Sequence, residues 1–99
     1  MKSREEIIKR YDGKKASVII LETVLEYSDE VIKQIIRDVD NVVLTRALSG
    51  ASGQVCKRFL ANMSDKLLPF IDEEITNCVT IEKEIAEAQE EILKMCEKN

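Results

Sequence analysis

The sequence predicts an all-α fold, a compact bundle or superhelix of six to seven short helices. Three observations predict it. Apolar residues recur at spacings of three and four along most of the chain. Ser, Thr or Asp stands immediately before most of these runs, where a helix needs a cap. The composition, 44% hydrophobic and 34% charged with one Pro and three Gly in 99 residues, is that of a helical chain with one small core. Residues 1–99 therefore read as a single domain.

Ser3 followed by Glu6 forms a capping box for a first helix over residues 4–11, and Gly13 ends it. A helix this short is marginal alone, so Ile7 and Ile8 must dock on something. Residues 15–26 are the most apolar stretch. Val18, Ile19, Ile20 and Leu21 would cover nearly the whole circumference of a helix. The run reads as a core helix or as an extended-to-helix hinge; a buried strand would need a partner strand, and the chain offers none.

Ser28 then caps a helix over 29–37, with Val31, Ile32, Ile35, Ile36 and Val39 along one stripe. Asp29 and Glu30 occupy its first turn, where they complement the helix dipole. Asp40 caps a helix over 41–48 carrying Val42, Val43, Leu44, Ala47 and Leu48, and Gly50 is placed to stop it. Ser52 caps a helix over 53–62, with Val55, Cys56, Phe59, Leu60 and Met63 inward. Ser64 caps a helix over 65–77 that buries Leu67, Leu68, Ile71, Ile75 and Cys78. Pro69 falls in its second turn, where it removes one hydrogen bond and should bend the axis. Thr80 caps the last helix, over 81–97. Its residues Ile81, Ile85, Ala88, Ile92 and Met95 step in a heptad-like seam, which serves either a neighbouring chain or, more commonly, the home domain.

The chemistry excludes several functions. Net charge is −4 with acids and bases mixed, which argues against a nucleic-acid partner. There is no His, so the usual Ser–His and Cys–His nucleophiles cannot form. No Gly-rich phosphate loop is present. Cys56, Cys78 and Cys96 are too few and too widely spaced for a zinc site without carboxylates or a second chain, and read as reduced core thiols. The expectation is a non-enzyme without cofactor or metal. No apolar run approaches the ~20 residues of a membrane span. Glu5 and Glu6 interrupt any secretory segment, which points to the cytoplasm.

Residues 37–66 join short helices through small-residue turns, and here the chain resembles a known family. Arg37-Asp38-Val39-Asp40, Ala47-Leu48-Ser49-Gly50-Ala51 and Asn62-Met63-Ser64 come in order with almost no gaps. Asp72-Glu73-Glu74 and Glu87-Ala88-Gln89 follow. Together these pieces resemble the C-terminal domain of FliG, the flagellar motor switch protein, over about residues 18–97, with 1–17 as an N-terminal helix and lead-in. Val18-Ile19-Ile20-Leu21 falls where the family carries a Met-Phe-x-Phe hinge, but without its aromatics.

The resemblance implies an armadillo-related all-α fold and a non-enzymatic role in torque, motility and chemotaxis. It implies a rotor component at the cytoplasmic face of the inner membrane. The partners would be the stator's cytoplasmic loop and other switch-complex proteins, with some self-association. Contact would run through a charged ridge of Lys66, Asp72, Glu73 and Glu74. Lys66 and Glu73 are seven residues apart and share a helix face, as do Asp65 and Asp72.

The departures are also specific. Ser49 stands where the family has Lys. The Gly-Pro turn after the charged helix is replaced around Cys78-Val79, and the Arg after it by Ile81 or Glu82. The chain matches neither the membrane-ring anchor nor the middle domain of the rotor protein; its start at Met1 favours a free-standing relative over an excised domain. The alternative function is therefore a helical adaptor that keeps the fold, has lost the motor contact, and binds through the 81–95 seam or an exposed Phe70.

Overall fold

Side-chain caps start the helices of this computed structural model, which describes residues 3–98. The Ser3 hydroxyl accepts from the Glu6 N–H and opens α1 (Arg4–Lys9). Ser28 accepts from Val31 and opens α2 (Asp29–Asp38). Asp40 accepts from Val42 and opens α3 (Asn41–Ser49), and Ser52 accepts from Val55 and opens α4 (Gly53–Ala61). Each cap satisfies an N–H that the helix leaves without a partner, worth about 1 kcal/mol. Two further helices, α5 (Leu67–Asn77) and α6 (Glu82–Lys98), complete the α-helices. The described residues contain six α-helices, one 3-10 helix and no strand.

Two helix starts differ from the sequence expectation. The Ser64 hydroxyl accepts from Leu67 N–H and its carbonyl from Leu68 N–H, so the chain begins to coil at Ser64. Regular α-helix nevertheless begins only at Leu67, because Pro69 has no N–H to give to the Asp65 carbonyl. Thr80 does not cap α6: its hydroxyl is buried without a hydrogen-bond partner.

The hinge-like stretch is not a core α-helix; its backbone passes from bends into a tighter helix. Residues 20–26 form a 3-10 helix (Ile20–Glu26), preceded by bends. Of the four hinge residues only Leu21 is fully buried; Val18 and Ile20 are half-buried, and Ile19 is 71% exposed. A 3-10 helix repeats every three residues, so Leu21 and Val24 face the core while their neighbours turn away. The irregular backbone is pinned from two sides. The Gly50 carbonyl accepts from both Ser17 and Val18 N–H at 3.0 Å. The side-chain amide of Gln89, fully buried on α6, accepts from Leu21 N–H at 3.1 Å and donates to the carbonyls of Val18 and Ala47.

Gly50 does close α3, but not through a left-handed turn, since its φ is −101°. It is required for space: a Cβ there would strike the Ile85 side chain of α6. That close approach lets α6 lie along α3, its most extensive neighbour. The heptad-like seam is thereby spent inside the domain. Ile85, Ala88 and Ile92 are buried, Met95 is half-buried, and Ile81 precedes the helix and is 61% exposed. The seam pattern lets α6 present one stripe to α3, α2 and the 3-10 helix.

The lead-in to the 3-10 helix is fastened as firmly. Gly13 takes φ +77° and turns the chain back toward α4. Lys14 carries its ammonium to the carbonyls of Leu48, Ser49 and Ala51, which caps the C-terminal end of α3. Its own carbonyl accepts from Gly53 N–H at 2.8 Å. A Cβ at Gly53 would collide with the Tyr11 carbonyl, so only glycine admits the lead-in at this point. All three cysteines are free thiols. Burial pushes the Cys56 thiol up to about 11 despite the opposing Lys14 ammonium nearby, and burial also raises Cys96.

Two outcomes follow from this packing. Gln89→Leu leaves Leu21 N–H and the Val18 and Ala47 carbonyls without their partner. It should cost at least about 3 kcal/mol in urea unfolding, given ~1–3 kcal/mol for each of the three unsatisfied groups. A loss under ~1 kcal/mol would show that water or a shift of the hinge segment replaces the amide. A native-state titration with a thiol-specific disulfide reagent should label Cys78, which is half-buried, before Cys56 and Cys96, which react fully only after denaturation.

Candidate partner interface

The exposed face of α5 is set by its buried one. Leu68, Ile71, Asp72 and Ile75 fall at helical positions i, i+3, i+4 and i+7 and are all buried. The opposite face therefore presents Phe70, Glu73, Glu74 and Asn77 to solvent, with Lys66 exposed in the turn just before the helix. Lys66, Glu73 and Glu74 form no salt bridge with any described residue, so their charges are open to a partner. Lys66 to Glu73 is seven helical positions, about 10 Å along the axis.

Asp72 does not belong to this ridge. Its side chain is 10% exposed and is claimed from within the domain. Arg10 donates to one carboxylate oxygen at 2.7 Å, and the Tyr11 hydroxyl donates to the other at 2.8 Å. Burial, and then the hydrogen bond to Asp72, hold the Tyr11 hydroxyl far above the ordinary tyrosine range, so it stays a donor. The signal for this placement was in the spacing: Asp72 completes the apolar stripe of Leu68, Ile71 and Ile75. Its partners, Arg10 and Tyr11, lie 62 and 61 residues away, and spacing along one helix says nothing of them. Asp65 is likewise engaged, by Arg4 at 2.7 Å. The face shared by Asp65 and Asp72 is thus where the α1 segment docks.

The ridge borders a groove between α3 and α5 with a volume of about 160 Å³, lined by residues that include Val42, Thr45, Phe70, Glu74 and Asn77. Val42, expected inside, is 55% exposed at its edge, and Phe70 is 47% exposed. Arg46 also reaches the groove but is paired with Glu84 of α6 at 3.4 Å. Ser49, at the position where the resemblance leads one to expect Lys, turns its hydroxyl back to the Arg46 carbonyl. Among the described residues no group of three or more His, Cys, Asp or Glu side chains could hold a metal ion. No helix among them is long and apolar enough to cross a membrane.

No curated protein matches the sequence. The sequence profile of the FliG C-terminal domain matches residues 6–99, nearly the whole chain. The resemblance carried by the short motifs therefore extends into the α1 segment, beyond the residues that first showed it. The chain belongs to the FliG C-terminal domain family, whose members are components of the flagellar motor switch.

Proposed function

We propose that this domain acts on the rotor side of the flagellar motor and meets the cytoplasmic loop of the stator through Lys66, Glu73 and Glu74 of the α5 segment. The observation that carries the reading is that Glu73 and Glu74 stand outward on α5 and Lys66 in the turn that leads into it, none of them in a salt bridge with a described residue, while Asp65 and Asp72 are engaged by the α1 segment. A rotor contact must form and release at every step. Exposed charges suit such a contact, because they steer encounter over a Debye length of about 8 Å, yet each pair adds only about 0–1 kcal/mol. An acidic end and a basic end on one face also fix the direction in which an oppositely patterned loop lies. The role is mechanical, with no catalysis, and its place is the cytoplasmic face of the inner membrane beside the stator. Of the two surfaces the adaptor reading named, the seam is largely covered by the burial of Ile85, Ala88 and Ile92, whereas Phe70 is 47% exposed.

Glu73→Lys, Glu74→Lys and Lys66→Glu should each leave unfolding free energy within about 0.5 kcal/mol of the parent, because the positions are exposed. In the motile host they should leave filaments assembled and reduce swimming. Binding to the isolated stator loop should fall in step and lose its salt dependence. Asp72→Asn should behave in the opposite way, losing about 1–2 kcal/mol of stability with the Arg10 charge pair while leaving loop binding at the parental level. Normal swimming and unchanged loop binding in all three charge reversals would sink the motor contact.

A further inference from the structure

The α1 segment offers the α5 segment an internal counterpart of a basic partner. Arg4 and Arg10 are six residues apart, and the carboxylates they meet, Asp65 and Asp72, are seven apart. The order of pairing sets the two segments running in the same direction, with cation against acid at both ends. The Tyr11 hydroxyl takes the second oxygen of Asp72, so both oxygens of the acid that α5 draws inward are claimed from residues 3–12. Asp72 is the immediate neighbour of Glu73, at the acidic end of the ridge.

This attachment is of a kind that opens. A helix of six residues does not hold its own shape in water. Of residues 3–12 only Ile7 and Tyr11 are buried, and their burial works against the entropy of ordering the whole stretch, which leaves the balance to the ion pairs. Each of the three pairs, Arg4–Asp65, Arg10–Asp72 and Lys57–Asp12, has a partner exposed enough to be screened by salt. The stretch ends at Gly13, whose φ of +77° and open surroundings suit a swivel. Lys14, the next residue, is fixed on the carbonyls that end α3.

Resting on the functional reading above, we propose that residues 3–12 form an autoinhibitory strap on the charged ridge. Docked, the strap neutralises Asp65 and Asp72. Released about Gly13, it returns both carboxylates to the α5 segment, beside Glu73 and Glu74. The strap therefore competes with the Lys or Arg side chains of the stator loop for the same acids. Strap docking and loop binding oppose each other by one shared coupling free energy, so whatever loosens the strap tightens the contact. Asp72→Asn is the exception: it loosens the strap but removes the carboxylate that release would supply, and so brings no gain in binding.

The test uses the full chain. Amide exchange in the ¹⁵N spectrum reads the strap, and fluorescence anisotropy with the isolated stator loop reads binding. In the parent, the N–H groups of Ile7 and Tyr11, bonded to the Ser3 and Ile8 carbonyls, should exchange faster than those of α3 and α6. High salt should speed these two about tenfold and leave α3 and α6 unchanged. Arg10→Gln should speed the same two amides at low salt and tighten loop binding about threefold. Lys9→Gln makes the same change of net charge at an exposed position that forms no salt bridge with a described residue, and should do neither. Exchange at Ile7 and Tyr11 as slow as in α6, or indifferent to salt, would overturn the strap, and the parent alone supplies that result if Arg10→Gln does not fold. Faster exchange in Arg10→Gln without tighter binding, or equal tightening by Lys9→Gln, would overturn the autoinhibitory role while the ridge contact stands. If Glu73→Lys binds the loop as the parent does, the ridge reading itself fails, and the role of the strap falls with it whatever the exchange rates show.

Discussion

The Gln89 side-chain amide sits where three elements would each leave a backbone group without a partner. The segment before the 3-10 helix is irregular, so its N–H and C=O groups cannot satisfy one another as they would in an α-helix. Buried and unpaired, each would cost about 1–3 kcal/mol. Gln89 meets Leu21 N–H with its oxygen and the Val18 and Ala47 carbonyls with its nitrogen. One residue of α6 thus fixes the approach of the hinge-like segment to α3. A buried amide is tolerated only because its capacity is used so fully. With Gly50 accepting from Ser17 and Val18 on the other side, the segment that resembles a hinge is held at both faces.

Around that centre, the α1 segment is attached largely by charge. Arg4 reaches Asp65 and the Leu60 and Met63 carbonyls, Arg10 reaches Asp72, Lys57 pairs with Asp12, and Lys14 caps α3. Only Ile7 and Tyr11 of this segment are fully buried apolar anchors. Asp72 is consumed in holding it, and Asp65, 92% exposed, pairs with Arg4 at its edge. What remains there for an external partner is consequently a shorter ridge than the run of acidic residues implies, with Lys66 at one end and Glu73 and Glu74 at the other. The same packing leaves Phe70 uncovered between them.

The departures from the family pattern acquire a structural meaning here. Ser49 folds its hydroxyl onto the Arg46 carbonyl, at the end of the helix whose last carbonyls the Lys14 ammonium already covers. The altered connection after α5 leaves Val79 and Ile81 exposed, with no glycine or proline to set a tight turn.

Helix positions, their caps and most of the core were legible in the sequence, because each is fixed within one or two turns of the chain. Ser3, Ser28, Asp40 and Ser52 act where local hydrogen-bonding geometry requires, and the stripes of α2, α4 and α6 bury most of the residues their spacing marks. The family was legible for the same reason: its motifs are short and in order. Tertiary structure decided the rest. That Val18 to Leu21 becomes a pinned 3-10 segment depends on Gln89, 68 residues away from Leu21. That Gly50 and Gly53 are needed for space depends on Ile85 and Tyr11, and that Asp72 leaves the ridge depends on Arg10 and Tyr11. Helical periodicity states which residues share a face, but only the folded chain determines what that face meets, since burial and ion pairing arise between segments that have no sequence relation to one another.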